Sequence, residues 1–156
     1  MRKVVFVLLI LFLFFVSVTT AWAYSGSHSF LFTTTTSDGH VYQSEYQATG
    51  SFPFNGQGRY DRSRVNLKGT LNVLSIDGVV SSDSYCAGLK GSLSATGGKL
   101  TATQYVDNTC GQVAQTKTYI VISYTENQSG SFQATVKDNA GIISTISGIH
   151  QFVSGK

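Results

Sequence analysis

From Ser63 to Val73 the chain alternates without a break. Ser63, Val65, Leu67, Gly69, Leu71 and Val73 are apolar or small, and Arg64, Asn66, Lys68, Thr70 and Asn72 between them are polar. A period of two marks a strand with one buried and one wet face. Tyr42, Tyr46 and Ala48, set against Gln43, Glu45 and Gln47, give a second such stretch, and Tyr119 to Tyr124 a more continuously apolar third. Between the runs lie clusters of residues that tolerate positive φ: Ser37-Asp38-Gly39, Asn55-Gly56, Asp77-Gly78, Gly97-Gly98, Asp107-Asn108 to Gly111, Asn127 to Gly130, and Asp138 to Gly141. These turns separate about eight strands, and nothing offers a capped helix of three turns. The pattern predicts an all-β fold, an antiparallel up-and-down meander closed or nearly closed into a barrel. A β-sandwich and a β-solenoid are the alternatives.

A weak repeat sharpens that expectation. Gly50-Ser51-Phe52, Gly69-Thr70-Leu71, Gly91-Ser92-Leu93 and Gly130-Ser131-Phe132 begin alike, with Gly111 and Gly148 at intervening phases. Glycine inside a strand marks a bend or a close backbone approach, as closing a sheet demands.

The first residues read differently. Arg2 and Lys3 precede an unbroken apolar run from Val4 to Val16, and Ala21-Trp22-Ala23 places small residues where a leader is cut. Residues 1–23 are expected to be a secretory signal peptide and 24–156 a single β-barrel domain. An uncleaved membrane anchor is the rival, because Val4 to Ala23 nearly spans a bilayer. Glycine, serine and threonine make up 50 of the 133 residues after Ala23, valine and isoleucine 17 against seven leucines. Such a mix favours strands. Without Arg2 and Lys3 the formal net charge of +3 falls to +1, which leaves no global field for nucleic acid.

Export, secreted or periplasmic, implies an oxidising compartment, so Cys86 and Cys110 are expected to be bridged. Folding the chain at Gly97-Gly98 brings them nearly opposite, pairing Ala95 with Leu100, Leu93 with Ala102 and Leu89 with Val106. That register leaves Cys86 facing Thr109, and a bulge between Asp107 and Thr109 would absorb the offset.

Catalytic chemistry is sparse. His28, His40 and His150 lack metal-ligand spacing, and no metal or cofactor is expected. His28 and His40 flank the first hairpin, and a closed barrel would bring His150 beside His28. Two imidazoles without a carboxylate make a poor site, so the histidines are read as exposed or singly hydrogen-bonded on sheet edges. Asp38, Asp77, Asp107 and Asp138 fall in turns, as caps of backbone N–H groups. Glu45, Asp61, Asp83 and Glu126 are scattered too widely for a paired acid and base. No G-x-S-x-G elbow occurs, and Gly56-Gln57-Gly58 precedes no helix that would hold a phosphate. An enzyme is not expected.

The most distinctive polar stretch is Arg59-Tyr60-Asp61-Arg62-Ser63-Arg64. If a strand ran through it, Arg62 and Arg64 would share a face with Tyr60 and offer guanidinium forks beside a ring to an anion or glycan. A solvated strand face is the alternative. Asn127-Gln128-Ser129 is a glycosylation sequon.

A meander of about eight strands with one disulfide and no helices resembles the calycin group of small barrels, including lipocalins and avidins, and barrel-type periplasmic protease inhibitors. The run Gly50-Ser51-Phe52-Pro53-Phe54-Asn55-Gly56-Gln57-Gly58 is similar to G-x-F-x-F-x-G-x-G runs in small secreted bacterial β proteins of unknown role. The layout leads to an exported binding module for a small ligand or a protein or glycan partner, its interior lined by Phe30, Phe32, Tyr42, Tyr46, Phe52 and Phe54. Eight strands enclose little beyond their own side chains or one small ligand. The alternative is a structural or surface-assembly subunit in which an edge strand, Tyr24 to Thr36, pairs with a second copy.

Overall fold

The computed structural model describes residues 23–106, 110 and 113–155. Nine strands follow one another: β1 (Tyr24–Thr36), β2 (Val41–Phe52), β3 (Arg64–Ile76), β4 (Val79–Val80), β5 (Ser84–Leu93), β6 (Gly97–Tyr105), β7 (Ala114–Glu126), β8 (Ser131–Lys137) and β9 (Ile143–Gly155). Each neighbour pair is antiparallel, and β9 returns to β1 while β2 pairs with β3 and β3 with β5. Eight strands therefore close an up-and-down barrel. The ninth, β4, is a two-residue flap folded back on the end of β3 across the Asp77–Gly78 turn. Sandwich and solenoid are excluded.

Closure corrects one expectation. β1 is hydrogen-bonded to β2 along one side and to β9 along the other, so Tyr24–Thr36 is not a free edge open to a second copy.

The period-two reading fixes which side chains turn inward. Phe30, Tyr46, Phe52, Val65, Leu67, Leu93, Leu100, Tyr124 and Phe132 are buried in one core. Their alternate neighbours, such as Leu31, Lys68, Lys99 and Gln133, face water. A Cβ on Gly50, Gly69, Gly91, Gly130 or Gly148 would run into a neighbouring backbone, so the repeat marks points of close chain approach.

The Cys86–Cys110 disulfide is present, with Cα atoms 5.0 Å apart. Its hairpin differs from expectation. Leu93 pairs with Gly98 and Leu89 with Ala102, a slip of four residues that keeps the same side chains on the same face. The turn is Ala95–Thr96, because the Ser94 hydroxyl accepts the N–H groups of Thr96 and Gly97 and Ser94 N–H bonds Gly97 O. Gly97 and Gly98 are strand residues. Cys110 thus lies beyond the end of β6, and the bridge ties the β6–β7 connection back to β5 rather than clamping two facing strand residues. The bulge expected between Asp107 and Thr109 lies outside the described residues.

Candidate functional site

One end of the barrel is plugged. After β2 the chain folds over it, with Pro53 and Phe54 buried and Phe54 bridged to Tyr60. Asn55 accepts the N–H groups of Gln57 and Arg59, which shapes the return. Gly56 (φ 77°) and Gly58 (φ 73°) have left-handed backbones and sit against Gln151–Phe152 and Asn127, where a side chain would collide. The G-x-F-x-F-x-G-x-G run is thereby explained as a plug, with aromatic rings turned in and glycines pressed against the wall.

Behind it lies a buried polar chain. His28 on β1 is 1% exposed and His150 on β9 0%. His28 Nε2 is 3.0 Å from the Tyr24 carbonyl, His28 Nδ1 is 3.0 Å from His150 Nε2, and His150 Nδ1 is 2.9 Å from Glu126 Oε2. The same oxygen accepts the Tyr124 hydroxyl at 2.7 Å, and Oε1 accepts Gly58 N–H at 3.2 Å. These partners fix the tautomers. A carbonyl only accepts, so His28 Nε2 donates and its Nδ1 is a lone pair; His150 Nε2 must then donate to it. A single proton remains between His150 Nδ1 and Glu126, and the cluster is neutral whichever of the two holds it. Burial, then the charge of His150, pushes the His28 pKa down to about 4. Burial, reinforced by Glu126, pushes the Tyr124 hydroxyl well above the ordinary phenol range.

The histidine reading is corrected here: His28 and His150 are neither exposed nor on free edges, and Glu126 supplies the missing carboxylate. Its position was legible, since Glu126 continues the inward phase of Ile120, Ile122 and Tyr124. His40 is remote from His28. It caps the opposite end, where its Nδ1 is 2.7 Å from Asp77 Oδ2 and Asp77 Oδ1 accepts Val41 N–H. Hydrogen bonding to Asp77 and its charge raise the His40 pKa.

Between the two ends is an apolar cavity of about 130 Å³, lined by Phe30, Phe52, Leu67, Leu93, Phe132 and Ala134 among others, with no polar side chain except Tyr46 and Tyr124. Those two hydroxyls are already bonded, Tyr46 to the Ala87 carbonyl and Tyr124 to Glu126. Lining residues near the plug are buried, whereas Phe32, Leu89, Ile122 and Ile146 further along are only partly so. The exposed share of the lining therefore lies on the side away from the plug. Phe30, Tyr46, Phe52 and Phe54 lie in the core, Phe32 packs against it, and Tyr42 is half-buried outside it near His40.

The arginine stretch is not one strand. Tyr60 bridges to Phe54 and donates its hydroxyl to the Leu93 carbonyl, Arg62 takes a left-handed φ of 60°, and β3 begins only at Arg64. The face expected to carry Tyr60, Arg62 and Arg64 by alternation is not formed. Arg59, Arg62 and Arg64 are exposed. Asn127 of the sequon uses its carboxamide oxygen to hold the β7–β8 turn, accepting from Ser129 and Ser131. Among the described residues no three His, Cys, Asp or Glu side chains gather as metal ligands.

Compared with protein-family models, curated proteins and solved structures, the chain matches none. The closed eight-strand antiparallel barrel is consistent with a calycin-like layout.

Proposed function

We propose that this chain is an exported, non-catalytic binding barrel that takes a small apolar molecule into its interior. The observation that carries the reading is the cavity of about 130 Å³, walled by apolar surface, with its partly exposed lining residues on the side away from the plug. An apolar cavity of roughly 150 Å³ accepts benzene or xenon, so the ligand class is a single small ring or short alkyl chain.

The plug supports binding over catalysis. His28, His150, Glu126 and Tyr124 spend their polar atoms on one another and on the backbone, and among the described residues no buried side-chain polar atom lacks a partner. The reading needs no cofactor or metal. Export rests on the leader-like residues 1–23, and the Cys86–Cys110 bridge fits an extracellular or periplasmic location.

Protein purified from its natural exporting host, extracted with organic solvent and examined by mass spectrometry, should release a small apolar compound. The Ala134→Leu variant, which fills the cavity, should release none. Equal release from both proteins would place the compound elsewhere and end this reading.

A further inference from the structure

On the outer wall, strand register puts cations in line. Arg64 on β3 stands opposite Ser92 on β5, Ser92 opposite Lys99 on β6, Lys99 opposite Val121 on β7, and Val121 opposite Lys137 on β8. All five alternate with inward neighbours such as Val65, Leu93, Leu100 and Ile122. Cations therefore recur at every second strand of the row, two strand spacings or about 10 Å apart. The adjoining row, Lys90 opposite Thr101 and Thr101 opposite Tyr119, adds a fourth cation and an aromatic ring.

Lys90, Lys99, Lys137, Thr101, Tyr119 and Val121 help to line a depression of about 440 Å³. Tyr119 is 60% and Val121 54% exposed there. Among the described residues the ion pairs are His40–Asp77 and His150–Glu126, and none of these four cations is paired with a described carboxylate. Asp138 borders the depression, but its Oδ1 accepts the N–H groups of Ala140 and Ile142.

We infer that this wall binds a linear acidic polysaccharide, with Arg64, Lys99 and Lys137 meeting its anionic groups and Tyr119 lying against a sugar ring. Charge complementarity carries the assignment: unpaired cations at a regular interval fit a chain whose charges also recur. Thr101 and Asn139 add neutral hydrogen-bonding groups suited to sugar hydroxyls. Nucleic acid is disfavoured because the depression is lined by one aromatic ring, Tyr119, where successive bases would need a stacking platform. An anionic membrane would be met by a projecting apolar face, whereas Tyr119 and Val121 lie in a depression among cations. The site is separate from the interior cavity.

The exported protein is titrated by calorimetry with polygalacturonate and with dextran sulfate, which distinguish carboxylate from sulfate, beside neutral dextran, a single-stranded DNA oligonucleotide and phosphatidylglycerol vesicles. At least one acidic polysaccharide should bind, more weakly as salt rises. Lys99→Ala/Lys137→Ala should weaken binding by about tenfold. Arg59→Ala/Arg62→Ala, which removes two charges outside the row, should leave it nearly unchanged. Tyr119→Ala should weaken binding without altering the salt dependence. Circular dichroism establishes that each variant keeps its sheet content. Absence of binding to both acidic polysaccharides at low salt, equal losses in the two double variants, or tighter binding of DNA or vesicles would overturn the inference.

Discussion

His28 Nδ1 lies 3.0 Å from His150 Nε2 behind the plug, and the bond requires that His28 carry no proton on that nitrogen. Protonating it would set two N–H donors against each other in a buried site. The folded-state pKa of about 4, against 6.5 for the free side chain, states the same cost. Between those values the unfolded chain binds more protons than the folded one, so stability rises with pH. It is full above about pH 6.5 and falls towards pH 4 by roughly 3 kcal/mol. Urea midpoints should drop steadily over that window, and less steeply in His28→Asn. A profile that is level across it would contradict the assignment.

His40 should titrate in the opposite sense. Its contact with Asp77 raises its pKa, so the stability it contributes is present below the unfolded value of 6.5 and is lost as pH rises through the folded one. Imidazole NMR signals should therefore show His40 titrating above 6.5 and His28 far below. Asp77→Asn should bring His40 back towards its ordinary value; no movement would mean the pair does not form in solution.

Glu126 serves three donors or partners at once: His150, Tyr124 and Gly58. Glu126→Ala strips all three and should cost about 3 kcal/mol or more. Glu126→Gln can still accept from Gly58 and donate to a neutral His150 and to the Tyr124 oxygen, leaving only the Tyr124 O–H without its acceptor, so its cost should be smaller, about 1–2 kcal/mol. Chemical unfolding of the two variants checks the difference. Equal costs would show that the negative charge, not the hydrogen-bond count, holds the plug.

The Cys86–Cys110 bridge spans a sequence separation of 24. In the chain-entropy account a loop of that size contributes about 3 kcal/mol or slightly more. Cys86→Ser/Cys110→Ser should lower the unfolding free energy by that order while leaving the circular dichroism spectrum of a sheet. A variant as stable as the parent would show that the β6–β7 connection needs no tether.

How much of this was legible depends on range. The strands and their inward faces follow from period two, which is local, and β3 was visible almost residue for residue. Gly97-Gly98 misled because paired glycines signal a turn, yet here they sit where the carbonyls of Ile122 and Ser92 approach too closely for any side chain. The slip this caused was an even number of residues, so it left the core composition unaltered. The phase of β7 already pointed Glu126 inward, but its meeting with His150 required knowing that β7, β8 and β9 are neighbours. The Arg64–Lys99–Lys137 row depends on four successive registers, none written in any single segment. Tyr60 to Arg64 failed as a face because one left-handed residue, Arg62, interrupts the alternation.

The central claim is that the barrel admits a small apolar molecule, and a titration of the isotope-labelled exported protein with toluene, followed by NMR, tests it most directly. Saturable shifts should concentrate on Phe32, Ile122, Ala134 and Ile146, which line the cavity, and disappear in Ala134→Leu. Shifts confined to the outer wall, or none up to the solubility limit of toluene, would contradict it.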